Sequence, residues 1–222
     1  EHYLELGQSW FRATGALRLT PGHKDSAGVK YRVFDPGAGI LKCFSCHSTG
    51  VPKVLAGGKI GPAEPGVNCE VCHGPGKAHV ESGGGKYKID NPARYRASAV
   101  NEQCGACHRQ QAAGGEAPNW DDPWNVRHQP VYLVESRCFQ ESGEKLSCFS
   151  CHKPHEKLSR DKQAFDAVCA SCHSGVKHKT AAAAKAGCVG CHMPVVKPTA
   201  ELGFSNHWIG VYAPGKLLRP RR

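Results

Sequence analysis

Hydrophobic and polar positions follow a regular period over only short stretches of this chain. Lys30–Phe34 alternates between apolar and polar residues as a strand does, and Gly28 and the Asp-Pro-Gly sequence at 35–37 predict turns on either side. The opening stretch Glu1–Arg12 fits neither a helical nor a strand period. The pattern therefore predicts one short strand near the N-terminus and little other β-structure.

Helical patterns are equally short, and each begins after a residue type that favours helix N-termini. Ser and Thr side chains accept hydrogen bonds from the first N–H groups of a helix, so they mark its start. On this basis we predict three helices with their N-caps, namely Ala99–His108 after Ser98, Arg160–His173 after Ser159, and Ala181–Ala186 after Thr180. The Gly- and Pro-rich connector Val51–Gly66 is a predicted loop. The expected fold class is mostly irregular with short α-helices.

The composition predicts a thin side-chain core. Only 1 Met, 7 Phe and 4 Trp occur among 222 residues, against 26 Gly and 15 Pro. A chain of this length normally buries a larger apolar core, so we expect an additional apolar group to complete it. No run of about 18 apolar residues occurs in the sequence. We therefore predict no transmembrane segment.

One motif, Cys-x-x-Cys-His, occurs six times. Two thiols separated by two residues and followed directly by an imidazole form the pattern of c-type haem attachment. On one helical turn both sulfurs can reach the two vinyl groups of a porphyrin, while the adjacent His becomes the proximal iron ligand. The predicted attachment and proximal residues are Cys43, Cys46 and His47; Cys69, Cys72 and His73; Cys104, Cys107 and His108; Cys148, Cys151 and His152; Cys169, Cys172 and His173; and Cys188, Cys191 and His192.

Zinc sites and disulfide frameworks also use paired cysteines, but neither requires a His after every second Cys. Six repeats of the complete motif therefore favour six haem c groups. At about 37 residues per porphyrin, the apolar macrocycles themselves would supply the buried surface that the side chains lack. We predict a haem-directed multihaem cytochrome c fold, with an N-terminal cap segment at 1–42 and a hexahaem domain at 43–222.

Seven histidines remain after the proximal positions are assigned, one more than six irons need on their second face. The predicted distal iron ligands are His79, His128, His155, His178, His207, His23 and His2. His155 follows His152 too closely to reach the far side of the same iron, so we expect it to bind a neighbouring one. The same argument applies to His178. Met193 directly follows His192 and is interpreted as a packing residue.

Cys138 is the thirteenth cysteine and lies outside the six motifs. Because every other thiol has an assigned role, we interpret Cys138 as a small buried residue. The alternative is a cysteine that forms an intermolecular disulfide.

The formal net charge of +10 and the pI near 9.0 are values found among nucleic-acid-binding proteins. Six haems would add about twelve propionate charges, however, and these would neutralise much of the basic excess. No basic run is interleaved with aromatic residues, as a surface that stacks bases requires. We therefore predict no nucleic-acid partner.

The motifs also bear on location, because c-type haem is attached outside the cytoplasm. Twelve cysteines committed to thioether bonds imply export to the periplasm or the cell exterior. No signal peptide is visible at Glu1, which we interpret as the start of a processed or trimmed chain.

Several segments resemble one known family. They are Gly66–Gly76 with His79, Ser136–Phe139, Leu146–His155 and Cys188–Pro194, and they resemble multihaem c-type cytochromes related to the tetrahaem electron acceptor of hydroxylamine oxidoreductase. The resemblance covers about residues 40–195 and leaves 1–42 outside it. It implies a mostly helical and irregular haem-wrapping fold, largely bis-His iron and electron transfer. His207 also lies where related chains often carry a C-terminal ligand.

The predicted function is electron transfer between redox partner proteins, and we assign no catalytic residue. One alternative is a reductase or oxidase of a small nitrogen compound, which needs an iron with an open sixth position. Another is an extracellular conductive filament. His2 and His23 compete for one remaining iron, and His2 in a neighbouring copy would join subunits head to tail. His23, beside a Pro-Gly turn, is the easier ligand within one chain.

Covalent stoichiometry tests the hexahaem prediction. Thioether bonds survive denaturation, so mass spectrometry of the denatured protein should show six haem additions, with Cys138 free or in a disulfide. Fewer than six additions would contradict the count drawn from the motifs.

Overall fold

The computed structural model describes residues 3–21, 31–34, 38–61, 64–109, 116–178 and 187–221. Its helices are α1 (Ala38–His47), α2 (Cys69–His73), α3 (Lys77–Glu81), α4 (Ala97–His108), α5 (Gln129–Val134), α6 (Arg137–Glu141), α7 (Cys148–Cys151), α8 (Lys162–Cys172) and α9 (Cys188–His192). No helix in these ranges has the length and apolar character needed to cross a membrane. The helices are short and irregular segments join them, which confirms the expected fold class.

Strands are shorter still and pair only two at a time. They are β1 (Tyr3–Leu6), β2 (Gln8–Phe11), β3 (Ala16–Leu19), β4 (Tyr31–Phe34), β5 (Ser48–Thr49), β6 (Lys53–Val54), β7 (Ile60–Gly61), β8 (Glu64–Pro65), β9 (Val195–Val196) and β10 (Phe204–Ser205). The antiparallel pairs are β1 with β4, β2 with β3, β5 with β8, β6 with β7, and β9 with β10.

The chain divides into two compact units, Glu1–Pro92 and Ala93–Arg222. The first unit carries the first two Cys-x-x-Cys-His motifs, and the second carries the other four. The boundary between a cap segment ending at residue 42 and a haem domain stays a prediction.

Two-stranded pairing in the first unit explains why its sequence pattern is weak. The predicted strand at Lys30–Phe34 is confirmed over Tyr31–Phe34, where β4 pairs with β1 and Tyr3 lies opposite Phe34. The opening stretch, for which no period was found, forms β1 and β2 on either side of a bend. Strands of four residues are too short to establish a period by themselves.

The predicted loop Val51–Gly66 is partly wrong, because it contains β6, β7 and β8. Leu55 donates its N–H to the Lys59 carbonyl at 2.8 Å, and Gly57 turns the chain between β6 and β7 with a φ of 73°. Only glycine adopts this φ at low cost. Gly57 therefore marked this turn correctly, but composition does not reveal which backbone groups pair across a turn.

The predicted start of α4 is two residues too late. The helix begins at Ala97, so Ser98 lies inside it and does not act as the N-cap. A carboxylate from elsewhere in the second unit takes that role, because Glu144 Oε2 accepts the Ser98 N–H at 2.8 Å. A distant acidic residue thus replaces the local Ser cap, and spacing along the sequence could not predict it.

The predicted start of α8 is also wrong, and the cap is Asp161 instead of Ser159. Asp161 Oδ1 accepts the Gln163 N–H at 2.9 Å, while Ser159 Oγ accepts the Asp161 N–H at 3.1 Å. Asp and Ser are about equally good N-caps, so the sequence alone did not decide whether Asp161 or Ser159 caps this helix. The predicted helix Ala181–Ala186 and its cap Thr180 lie outside the described residues.

The core of the second unit is small and aromatic. Its buried residues are Val126, Val131, Tyr132 and Val196, and the partly buried side chains packed on them are Trp120, Phe204, Trp208 and Leu218. The rings of Trp120 and Tyr132 meet edge to face with centroids 4.9 Å apart, and Trp208 lies 4.9 Å from Trp120. The core therefore fixes Trp208, and with it the neighbouring His207.

Asn206, fully buried beside this core, ties the C-terminal segment to it. Its Nδ2 donates to the carbonyls of Leu217 and Leu218 at 2.9 and 3.1 Å, and its Oδ1 accepts the Trp208 N–H at 2.9 Å. A buried amide that makes three hydrogen bonds is costly to remove, because its backbone partners lose their bonds without gaining water.

We expect Asn206→Ala to lower the free energy of unfolding by about 3 kcal/mol, because three buried backbone groups lose their partner. Asn119→Ala is the matched control, since the exposed Asn119 side chain accepts one hydrogen bond from Asp121, and should cost less than about 1 kcal/mol. Denaturant unfolding of the haem-loaded protein, followed by far-UV circular dichroism, measures both. Equal losses in the two variants would contradict the role given to Asn206.

Candidate haem-binding sites

All six motifs lie on helical turns that end at the motif histidine. His47, His73, His108 and His192 are the last residues of α1, α2, α4 and α9, whereas His152 and His173 directly follow α7 and α8 as C-caps. Residues three apart on a helix share one face. Each motif therefore presents its two cysteines on one side of a turn, and its imidazole leaves at the end.

The motif thiols are accessible on these turns. Among the first cysteines of the motifs, Cys43 and Cys69 are exposed, and Cys104, Cys148, Cys169 and Cys188 are half-buried thiols. Apolar side chains nearby are also exposed, as Val71 inside the second motif shows. Accessible thiols beside uncovered apolar surface fit a covalently attached apolar macrocycle.

Two imidazoles of the first unit are oriented by the same loop. His73 Nδ1 lies 2.7 Å from the Asp90 carbonyl, and His79 Nδ1 lies 2.7 Å from the Tyr87 carbonyl. A carbonyl only accepts, so each Nδ1 carries the proton and each Nε2 keeps its lone pair. This is the arrangement that metal-binding histidines use, because it fixes the tautomer and the ring orientation.

The same arrangement recurs in the second unit. His192 Nδ1 lies 3.0 Å from the Gly210 carbonyl, His207 Nδ1 lies 2.9 Å from the Ser205 carbonyl, and His108 Nδ1 lies 3.2 Å from Gln129 Oε1. Predicted proximal and predicted distal histidines thus share the same Nδ1 hydrogen bond to a carbonyl oxygen. In each carbonyl-bonded imidazole, Nε2 is the nitrogen available to a metal.

Two pairs of imidazoles face each other at one separation. The ring centroids of His152 and His207 are 6.3 Å apart, and those of His178 and His192 are also 6.3 Å apart. An imidazole nitrogen lies about 2.0 Å from the metal that it binds and about 1 Å from the centre of its own ring, so two imidazoles on opposite sides of one metal have centroids about 6 Å apart. Each pair combines a predicted proximal with a predicted distal ligand, and its centroid separation matches the distance expected for two imidazoles on one metal.

The loop that carries His207 is held from both sides. Ser136, fully buried, donates from Oγ to the His207 carbonyl at 3.0 Å and accepts the Ile209 N–H at 2.7 Å. Asn206 fixes the preceding residue as described above. Sequence reasoning did not single out Ser136 or Asn206 as site residues. The available signal was their position, since Ser136 begins one of the segments that resemble the family and Asn206 precedes a candidate ligand.

His128 presents a buried nitrogen to which no described group is hydrogen-bonded. Its Nε2 is inaccessible to solvent and lacks a partner among the described residues. Burial and the charges of Arg109 and Arg127 lower the pKa of His128 to about 4, and burial likewise lowers the pKa of His207 to about 4. Both imidazoles are therefore neutral at neutral pH, which is the form that binds a metal. An orphaned buried nitrogen on a neutral imidazole fits an iron ligand.

The remaining residues considered as ligands are His155, His2, His23 and Met193. His155 lies exposed after α7, three residues beyond His152. His2 and His23 lie outside the described residues. Met193 is half-buried and is the C-cap of α9, where its N–H donates to the Val189 carbonyl. Its assignment as a packing residue stays a prediction.

Motifs are brought together in pairs within the second unit. A hydrogen bond with Cys148 lowers the pKa of Cys104 to about 7, and the same contact raises the pKa of Cys148. Asp166, on the helix of the fifth motif, accepts the Cys188 N–H of the sixth motif at 2.9 Å, and burial is the main cause that raises the pKa of Cys169 to about 11. The third motif therefore adjoins the fourth, and the fifth adjoins the sixth.

Cys138 is half-buried, and burial raises the pKa of its thiol. Cys172 adds to this rise in the pKa of Cys138. Burial is the main cause that raises the pKa of Cys151, and Cys138 adds to it. The interpretation of Cys138 as a small buried residue stays a prediction, and the structure gives this thiol intermediate burial.

Comparisons with known proteins agree with this chemistry. The family model for cytochrome c554 and c-prime matches residues 20–74, which include the first two motifs. The high-molecular-weight cytochrome c of Nitratidesulfovibrio vulgaris (strain Hildenborough) is 28% identical over 193 residues, 78% of this chain and 31% of that protein. The chain thus spans about a third of the length of this relative. No solved structure matches the chain.

The family match begins at residue 20 and so includes part of the 1–42 segment. The predicted ligand His23 lies within the matched residues. Six Cys-x-x-Cys-His turns, imidazoles paired at the spacing of one metal, and two matches to cytochromes c together support a multihaem c-type cytochrome that transfers electrons through covalently bound haem.

Proposed function

We propose that this chain is an exported electron carrier that holds six haem c groups, one at each motif, with imidazoles on both faces of most irons. The observation that carries the proposal is the 6.3 Å separation of the two imidazole pairs, His152 with His207 and His178 with His192. When bound, haem supplies an iron that alternates between the ferric and ferrous states. Redox proteins outside the cytoplasm are its expected partners.

The remaining imidazoles complete the ligand set. His128 is a distal ligand because its Nε2 is buried without a partner among the described residues. His79 is a distal ligand because its Nδ1 hydrogen bond fixes the ring and leaves the lone pair on Nε2. His155 is assigned to an iron other than that of His152. His23 completes the set within one chain, since it lies inside the region that matches the cytochrome family.

The chain's own contribution is to hold these imidazoles still and in the neutral form. Backbone carbonyls retain the proton on Nδ1, and burial of His128 and His207 disfavours protonation of Nε2. Imidazoles that neither rotate nor protonate would stay bound to an iron in either oxidation state. Such a site changes little on reduction, which suits electron transfer better than substrate binding.

The filament alternative depends on His2, which lies outside the described residues, and it stays a prediction. The enzyme alternative requires an iron whose sixth position is open. The carrier and the enzyme therefore differ in whether every iron is closed.

We expect His207→Ala and His178→Ala each to convert one haem in six from low-spin to high-spin iron, because each removes one distal imidazole. Covalent attachment should persist, since the cysteines are untouched. Electron paramagnetic resonance and visible spectra measure the high-spin fraction.

Two controls separate loss of a ligand from loss of structure. Added imidazole should restore the low-spin spectrum of each Ala variant. His207→Met should stay low-spin and raise the potential of that haem, because Met/His ligation does so in cytochromes c. Fully low-spin His207→Ala and His178→Ala proteins would contradict the proposed pairs.

The unmodified, reduced protein should bind negligible carbon monoxide, because imidazoles close both faces of its irons. A spectrophotometric titration measures the number of binding irons. His178→Ala serves as the positive control and should bind about one equivalent. Uptake near one iron in six by the unmodified protein would favour the enzyme alternative.

A further inference from the structure

The third and fourth motifs are joined by one side chain. Asn101 lies three residues before Cys104 on α4, and its Oδ1 accepts the Cys148 N–H at 3.0 Å and the Cys148 thiol at 3.0 Å. Asn101 is buried, and its Nδ2 has no hydrogen-bond partner among the described residues. A neutral amide on one motif helix thus caps the first turn of the next motif.

The fifth and sixth motifs repeat this construction with a charged residue. Asp166 lies three residues before Cys169 on α8, and its Oδ1 accepts the Cys188 N–H at 2.9 Å and the Val189 N–H at 2.8 Å. Asp166 is half-buried, and no Lys or Arg in the described ranges forms an ion pair with it. The equivalent position therefore carries a negative charge in one motif pair and none in the other.

The sixth motif depends on this contact more than the fourth does. Ser147 precedes the fourth motif, and its Oγ accepts the Phe149 N–H at 3.2 Å, so that turn has a cap of its own. Gly187 precedes the sixth motif and offers no side chain. Both of the first two N–H groups of that turn are bound by Asp166.

Gly187 is also the residue that admits the carboxylate. Its φ is +78°, and a Cβ at this position would lie 2.5 Å from Asp166 Oδ2. A side chain here would collide with the carboxylate and would be strained as well. The close approach of Asp166 to Cys188 therefore requires glycine.

We propose that Asp166 is a positioning residue that fixes the sixth motif against the fifth, and that its charge lowers the reduction potential of the haem pair at these motifs. The inference rests on the proposed haem c function. The carboxylate binds the backbone of Cys188, the residue to which the sixth haem is attached. A half-buried negative charge bound to the backbone of the attachment residue is incompletely screened by water and would favour the ferric over the ferrous state of a haem held there.

Asp166→Asn isolates the charge, because Asn keeps an Oδ1 acceptor in the same position. At a fixed ambient potential we expect about a tenfold fall in the ferric-to-ferrous ratio of one or two of the six haems, equivalent to a rise of about 59 mV for a one-electron couple. Spectropotentiometric titration measures the shift. Haem methyl resonances in proton nuclear magnetic resonance identify the haems that move.

Asp161→Asn is the matched control, because it removes the same charge from the same helix at the exposed N-cap, away from the Cys188 contact. It should leave the potentials unchanged. The reciprocal variant Asn101→Asp should lower the potential of a haem at the third or fourth motif; if that variant does not fold, Asp166→Asn alone decides. Equal effects of Asp161→Asn and Asp166→Asn, or no shift in Asp166→Asn, would overturn the role of the charge.

Asp166→Ala tests the positioning role, because it removes the acceptor as well. We expect loss of the haem mass at the sixth motif in part of the population, which Asp166→Asn should not show. Complete attachment in Asp166→Ala would overturn positioning. Fewer than six haems in the unmodified protein would instead contradict the proposed function, so the two failures are distinguishable by mass spectrometry.

Discussion

Hydrogen bonds from histidine Nδ1 to backbone carbonyls are the interaction on which the candidate sites of both units depend. An imidazole can bind a metal through either nitrogen, and the partner of the other nitrogen decides which is free. In His73, His79, His192 and His207 the partner is a main-chain carbonyl. The irregular segments of this protein therefore shape the candidate sites, because their carbonyls orient the candidate imidazoles.

The small side-chain core has a related explanation in the predicted haem content. Side chains such as Tyr132, Trp120 and Trp208 form one aromatic cluster in the second unit, and much apolar surface elsewhere is exposed. A polypeptide of this kind gains too little from burial to offset the entropy of ordering its long connections. Covalent porphyrins would supply the missing apolar area, and the axial bonds would fix segments that have few other long-range contacts.

Pairing of motifs adds a second level of organisation. Asn101 and Asp166 occupy the same position relative to their motifs and bind the next motif in the same way. The sequence also shows an alternation, since Pro75, Pro154 and Pro194 lie two residues after the histidines of the second, fourth and sixth motifs. The pair of the third and fourth motifs and the pair of the fifth and sixth thus share one construction. They differ in the amide or carboxylate that binds the second motif, and in Ser147 or Gly187 directly before that motif.

Local chemistry is what the sequence by itself determined. The six motifs, their helical turns, the irregular fold class and the list of candidate imidazoles all follow from residues close together in the chain, because covalent spacing and helix geometry act over a few residues. Only the tertiary structure decided which imidazoles face each other, which acidic residues cap α4 and α9, and which motifs adjoin. His207 and His152, Glu144 and Ser98, and Asp166 and Cys188 are distant in sequence. Such contacts depend on how the whole chain folds back on itself, and no local pattern encodes that path.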